Sequence, residues 1–190
     1  TLLSSQFSSR IVVSELPKFL VRGIKKFVAS LPTTVPDVDL LGSIADTLLS
    51  FQMECLEFVI RRGGRAMIGD EMGCGKTLEA LAVMQQYRAH LPALVLTPPS
   101  ILKHWESEIA AYSAGWLLPK DVCVVRKAGD RVFGKVCVAS YTLLERLVSE
   151  GTFSACRFGI VIADESHQLK SKEAKRTTLA LPLLKQAKVA

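Results

Sequence analysis

Two short clusters in this chain carry side chains whose types and spacing could act together. The first is Gly73-Cys74-Gly75-Lys76-Thr77 and the second is Asp164-Glu165-Ser166-His167. Glycines adopt positive φ, so a loop built on them wraps a polyphosphate without side-chain clash. The loop amides and the start of a following helix then face the anion. Lys76 would neutralise charge on the β- and γ-phosphates, and the Thr77 hydroxyl would ligate Mg2+. The strict pattern for such loops is G-x-x-x-x-G-K-[ST]. Here its first glycine would fall at Asp70, so the loop reads G-x-G-K-T behind Asp70-Glu71-Met72.

The second cluster ends an apolar run, Ile160-Val161-Ile162-Ala163. A buried strand would deliver Asp164 to Mg2+ beside the phosphates. Glu165 could then accept a proton from the attacking water, or orient it. Alone, an acidic pair after a strand also reads as a turn or helix cap; a phosphate loop in the same domain argues for chemistry. Zinc at His167 finds no support, because the other histidines, His90 and His104, lack ligand spacing.

These groups need elements to hold them. A helix is predicted over Phe51–Arg62, ending at Gly63-Gly64, then a short strand Arg65–Ile68 and the loop Gly69–Gly75. Lys76 to about His90 reads as a helix, Ala93–Thr97 as a strand and Ser100–Tyr112 as a helix. Val122–Val125 and Lys135–Ala139 read as strands, Thr142–Val148 as a helix, Phe158–Ala163 as a buried strand and Glu173–Leu184 as a last helix. Alternating apolar strands and helices predict a parallel sheet covered on both faces, with ligands at the strands' carboxyl ends. Upstream, Leu16, Phe19, Leu20, Ile24, Phe27, Val28 and Leu31 recur on one helical face, with Lys18, Arg22, Lys25 and Lys26 opposite. Pro32 and Pro36 mark residues 32–39 as a linker.

The chain has 190 residues, 49% hydrophobic and 22% charged, a globular balance that excludes a disordered tail or a disulfide-stapled miniprotein. No apolar run approaches the ~18 residues of a membrane span, and no secretory leader precedes Ser14. The five cysteines include no C-x-x-C pair, which points to a reduced compartment. The net charge of +6 sits at the two ends. Residues 1–30 and 168–190 are basic, whereas 31–167 carry a slight acidic excess. The basic C-terminal stretch reads equally as a nucleic-acid surface and as a solvated face.

Asp70 to Thr77 together with Asp164 to His167 resemble motifs I and II of the SWI/SNF-type superfamily-two helicase-like ATPases, with Cys74 in place of the usual leucine. Phe51-Gln52 resembles the Q motif, Leu94–Leu102 through Trp105 motif Ia, and Ala139-Ser140-Tyr141 motif Ib. Gly63-Gly64-Arg65, Lys170-Ser171 and Leu181–Lys188 bring the chain nearest to the HepA-related annealing helicases and their zinc-finger-bearing relative.

The resemblance implies an α/β, three-layer RecA-like P-loop lobe over 48–190, preceded by a helical segment and linker over 1–47. It implies ATP and Mg2+ as cofactors. The nucleotide site would comprise Gln52, which would read adenine, and Asp70, Glu71, Met72, Gly73, Cys74, Gly75, Lys76, Thr77 and Leu78. Thr77 and Asp164 would hold Mg2+, Glu165 would be the base, with Lys76 and Asp164 also catalytic, and His167 would couple the site to the rest of the motor. Thr97, Pro98, Ser100 and Ser140 would lie along a DNA backbone. The partners implied are double-stranded or forked DNA and a second RecA-like lobe, with no membrane, in the nucleus (or the cytoplasm of a prokaryote). Motif III and the second lobe lie outside these 190 residues, so the isolated chain is expected to be nearly inactive. Three readings stand: an annealing-helicase lobe for fork repair, a chromatin remodeller or other superfamily-two translocase, and a non-catalytic nucleotide-binding module.

Overall fold

The computed structural model describes residues 36–153 and 156–190, and before them only Val21, Arg22, Lys25 and Ala29, each helical. The rest of the amphipathic helix expected over Leu16–Leu31 lies outside the described residues. The chain divides into two compact units, residues 1–33 and 34–190, and every element below belongs to the second.

Its helices are α1 (Ser43–Thr47), α2 (Ser50–Arg61), α3 (Lys76–Gln86), α4 (Leu102–Tyr112), α5 (Leu144–Ser149) and α6 (Lys175–Gln186). Its strands are β1 (Ala93–Thr97), β2 (Val122–Val125), β3 (Val136–Ser140) and β4 (Ile160–Ala163). The four strands form one sheet in the order β2-β3-β1-β4, and every pairing is parallel. A parallel pair needs a crossover between its strands. Helix α4, between β1 and β2, and α5, between β3 and β4, each carry the chain past one intervening strand of the sheet.

Why the apolar strands sit in the middle follows from the period of two. Ala93 and Val95 of β1 face one core with Val136, Val138 and Ile160, under α2, α3 and α4. Leu94 and Leu96 face the other with Cys137, Ala139 and Val161, under α5 and α6. Both faces of β1 and β3 are therefore buried, and each strand reads as a continuous apolar run. The result is an α/β three-layer lobe, as the sequence predicts. Phe153 and Phe158 close the second core edge-to-face at 5.3 Å.

One predicted element is absent. Arg65–Ile68 forms no strand, and the backbone on either side of Arg65 is bonded to Ala190. Ala190 N–H donates to Gly64 O at 3.0 Å, and Ala66 N–H to Ala190 O at 3.1 Å. Val189 in turn bridges in parallel to Ile160 of β4. Gly64 (φ 84) makes this approach possible, since a Cβ there would lie 2.9 Å from Val189 Cγ2. Arg65 completes the arrangement by donating to Leu184 O and Ala187 O at 2.9 and 2.8 Å, which caps the end of α6.

Residues 36–47, assigned by the sequence to the preceding segment and linker, lie against α3. Leu41 N–H donates to Gln85 Oε1 at 2.7 Å, and Gln85 Nε2 returns a bond to Leu41 O at 3.0 Å. Gln86 and Arg88 bind Asp37 and Asp39 in the same way. Ile44 of α1 is fully buried in the first core.

Gly159, just before β4, faces the backbone of His90; a Cβ there would lie 2.0 Å from His90 O. Gly159→Ala is expected to destabilise the lobe by about 2–3 kcal/mol. Urea unfolding followed by circular dichroism measures it, and an unchanged midpoint would contradict the packing described.

Candidate active site

The phosphate loop is held from behind by one buried amide. Gln52 on α2 is 4% exposed. Its Nε2 donates to Cys74 O at 2.8 Å, and its Oε1 accepts from Leu49 N–H at 3.0 Å. Gly73 (φ 87) and Gly75 (φ 81) take the positive φ that the loop needs. Gly75 also starts α3, and a Cβ there would sit 2.5 Å from Gln52 Nε2. Gln52, expected to read adenine, thus has both ends of its amide engaged in the protein.

Lys76 at the first turn of α3 folds back onto its own loop. Its Nζ donates to Asp70 O and Glu71 O, each at 2.8 Å. These are neutral acceptors, which phosphate oxygens would outcompete, since a bond with both partners charged is stronger. Thr77 Oγ1 lies 3.4 Å from His104 Nε2 of α4.

The carboxylate pair leaves the sheet at the carboxyl end of β4. Asp164 N–H still follows the sheet, donating to Leu96 O at 2.8 Å. Its side chain is fixed by three donors. Thr97 Oγ1 and Trp105 Nε1 donate to Oδ2 at 2.9 and 2.8 Å, and Glu165 N–H donates to Oδ1 at 2.9 Å. Tyr141 O–H donates to the Asp164 carbonyl at 2.8 Å. Burial, and then the charges of Asp164 and Glu165, raise the Tyr141 phenol, so it stays a donor. Glu165 sits at φ 50, ψ 47, a left-handed conformation that costs a non-glycine residue about 1–3 kcal/mol. Its Oε2 lies 3.0 Å from His167 Nδ1.

Lys76, Thr77, Trp105, Asp164, Glu165 and His167 line one cleft of about 550 Å³. The structure therefore brings together the phosphate-loop lysine and threonine and the carboxylate pair, from opposite ends of the sequence. A family description, the SNF2-related domain, matches residues 51–189.

The chain belongs to the SNF2-related family.

Its relatives include a fruit fly (Drosophila melanogaster) SWI/SNF-related matrix-associated actin-dependent regulator of chromatin subfamily A-like protein 1. That protein is 37% identical over 199 residues, covering 98% of this chain and 25% of the relative. The bovine (Bos taurus) DNA annealing helicase and endonuclease ZRANB3 is 37% identical over 148 residues, covering 74% of this chain and 14% of the relative. The chain thus spans a quarter or less of these curated relatives. Among solved structures, the Sulfolobus solfataricus SWI2/SNF2 ATPase core domain superposes with a TM-score of 0.56 at 20% identity, covering 80% of this chain and 31% of that one. This last likeness is one of fold.

Within this SNF2-related lobe, other residues singled out by the sequence fall elsewhere. Thr97 and Ser140 are 0% and 2% exposed, and Pro98 is buried too. The Thr97 hydroxyl is committed to Asp164, and Ser140 Oγ lies 2.8 Å from Thr142 Oγ1. Both side chains are turned inward at the strand ends, so of the four positions expected along DNA only Ser100 presents an exposed side chain. Asp70, Glu71, Met72, Gly73 and Cys74 form the loop but do not line the cleft, and Leu78 is buried in the first core.

Sequence reasoning assigned no role to Trp105, His104 or Tyr141. A signal existed for Trp105, because a buried indole requires a partner for its N–H and an acid ends the neighbouring strand.

Gln52→Ala removes both amide bonds and leaves Leu49 N–H and Cys74 O without their protein partner. A loss of about 1–3 kcal/mol in stability is expected, with faster amide exchange through Gly73–Lys76. Hydrogen exchange by mass spectrometry checks it; unaltered exchange in the loop would exclude the bracing role.

Proposed function

We propose that this chain is the ATP-binding lobe of an ATP-dependent DNA translocase that remodels or reanneals DNA in the nucleus. The observation that carries the reading is the single cleft holding Lys76, Thr77, Asp164 and Glu165, with the Asp164 carboxylate already fixed by three donors. The family supports it, as do the relatives, a DNA annealing helicase and endonuclease and a SWI/SNF-related regulator of chromatin. Double-stranded or forked DNA and a second RecA-like lobe of the same parent protein are the proposed partners.

The residues fit a hard cation. Thr77 supplies a hydroxyl and Asp164 a carboxylate. Oδ1 of that carboxylate accepts only the adjacent Glu165 amide among the described residues. An Mg2+ ion held by these two residues would supply charge neutralisation for a bound polyphosphate. The protein's own contribution is positional. Lys76 exchanges two loop carbonyls for phosphate oxygens and orients the nucleotide. Thr97 and Trp105 prevent Asp164 from rotating, so no reorganisation is needed at the moment of reaction. Glu165 accepts the proton of the attacking water. His167, 3.0 Å from that carboxylate, can pass on whether Glu165 is engaged.

Glu165→Gln in the full-length protein is expected to abolish DNA-stimulated ATP turnover while nucleotide binding survives. Lys76→Ala should weaken binding itself. Steady-state phosphate release and fluorescent-nucleotide titration separate the two, and normal turnover by Glu165→Gln would sink the assignment. Trp105→Phe keeps the ring and deletes one charge-assisted bond, worth about 1.5–3 kcal/mol. The Mg2+ concentration for half-maximal turnover should rise roughly tenfold or more, while Lys76-dependent nucleotide binding without Mg2+ stays unchanged.

A further inference from the structure

Behind the phosphate loop lies a second cluster, none of whose members lines the cleft. Cys55 on α2, Asp70 at the loop entry and Glu79 on α3 each offer a donor atom, and the three atoms lie within 4.8 Å of one another. Asp70 is exposed and Cys55 half-buried. Glu79 is 0% exposed, and neither of its oxygens receives a hydrogen bond among the described residues.

That is an unusual place for an acid. Burying a carboxylate without donors is costly unless a proton or a cation neutralises it. With both acids ionised, Asp70 offers Glu79 only a second negative charge. The nearest cation, Lys76, is engaged with Asp70 O and Glu71 O. Burial, and then Glu79 and Asp70, push the Cys55 thiol up to about 11. Three acidic groups thus converge, and neither Glu79 oxygen has a donor among the described residues.

We propose that Cys55, Asp70 and Glu79 form a binding site for a divalent cation of the zinc class, with water as a fourth ligand. One thiolate with two carboxylates suits a borderline-soft ion and disfavours Mg2+. Tetrahedral zinc, at about 2.3 Å from sulfur and about 2.0–2.2 Å from oxygen, needs its donors about 3.5 Å apart. The cluster therefore contracts by about 1 Å on binding, with Asp70 on its exposed loop as the movable member. The ion would join α2, the loop entry and α3. Asp70 O also receives Lys76, so the site would hold the loop in its present shape. This inference does not depend on whether the cleft hydrolyses nucleotide.

The test uses chelator-stripped full chain without nucleotide, titrated with Co2+ as a spectroscopic probe and with Zn2+. Saturable binding of a single equivalent is expected, with a thiolate-to-cobalt charge-transfer band that Zn2+ displaces, and a rise in melting temperature with Zn2+. Cys55→Ser should erase the band, and Glu79→Gln should weaken binding more than about tenfold. Cys74→Ser should leave both intact. Absence of saturable binding, a band that survives Cys55→Ser, or a Zn2+ response unchanged in Glu79→Gln would each overturn the site. A proton shared between Glu79 and Asp70 would produce the first of these results.

Discussion

The position of the Asp164 carboxylate is the constraint on which the lobe depends. Its three donors come from three places: the last residue of β1, the first turn of α4 and the peptide that follows Asp164 itself. Thr97 reaches it only because β1 and β4 lie side by side and in register, Leu96 opposite Ala163. Trp105 reaches it only because α4 leaves β1 over the same edge and buries its indole in the first core. A slip of one residue in that register would turn Thr97 to the opposite face and leave Oδ2 with one donor fewer. The buried apolar strands therefore set the geometry of a polar site at their ends. Packing energy fixes the register, and the register aims the carboxylate.

The phosphate loop depends on the same sheet less directly. Nothing in the loop itself resists collapse, since its glycines impose no conformation. Its shape comes from outside, from Gln52 at Cys74 O and from Lys76 at Asp70 O and Glu71 O. Gln52 is placed by α2, whose Leu56, Val59 and Ile60 are buried against the sheet with α3. At the other end of the segment, Arg65 ties the chain entering the loop to the end of α6. The loop is thus suspended between two anchored points. Only Lys76 has to exchange partners when a phosphate arrives.

How far the sequence predicts this arrangement depends on how local each signal is. Ala93–Thr97 is legible to the residue because burial on both faces makes it uninterruptedly apolar. Ser100–Tyr112 is legible as a helix, but its first turn is 3-10 over Pro99–Ile101, set by consecutive prolines. Arg65–Ile68 reads as a short strand but forms none; the backbone bonds there are those of Gly64 and Ala66 with Ala190. The carboxylates, the lysine and the threonine are legible by type and spacing. Thr97 is the instructive case. The resemblance to motif Ia implies a place along DNA for it, yet the fold shows that its hydroxyl points at an acid 67 residues away and not at solvent. Glu79 is the converse, an acid that carries no signal in the sequence and is buried in space.

The charge distribution follows the same logic. A site for a polyphosphate would not need a basic surface, because the loop amides, the start of α3 and one lysine would supply the positive potential. The stretch 31–167 can therefore be slightly acidic without opposing such a ligand. Basic residues beyond the carboxylate pair could serve a second, more distant anion. Lys170, Lys172 and Arg176 are exposed, whereas Lys175 already pairs with Glu145. They follow directly on His167, which contacts Glu165. A polyanion drawn to this stretch would therefore bear on the segment that leads into the carboxylate pair. Glu165, held at a strained φ between Asp164 and His167, is the residue in that path whose backbone has most to gain from a shift.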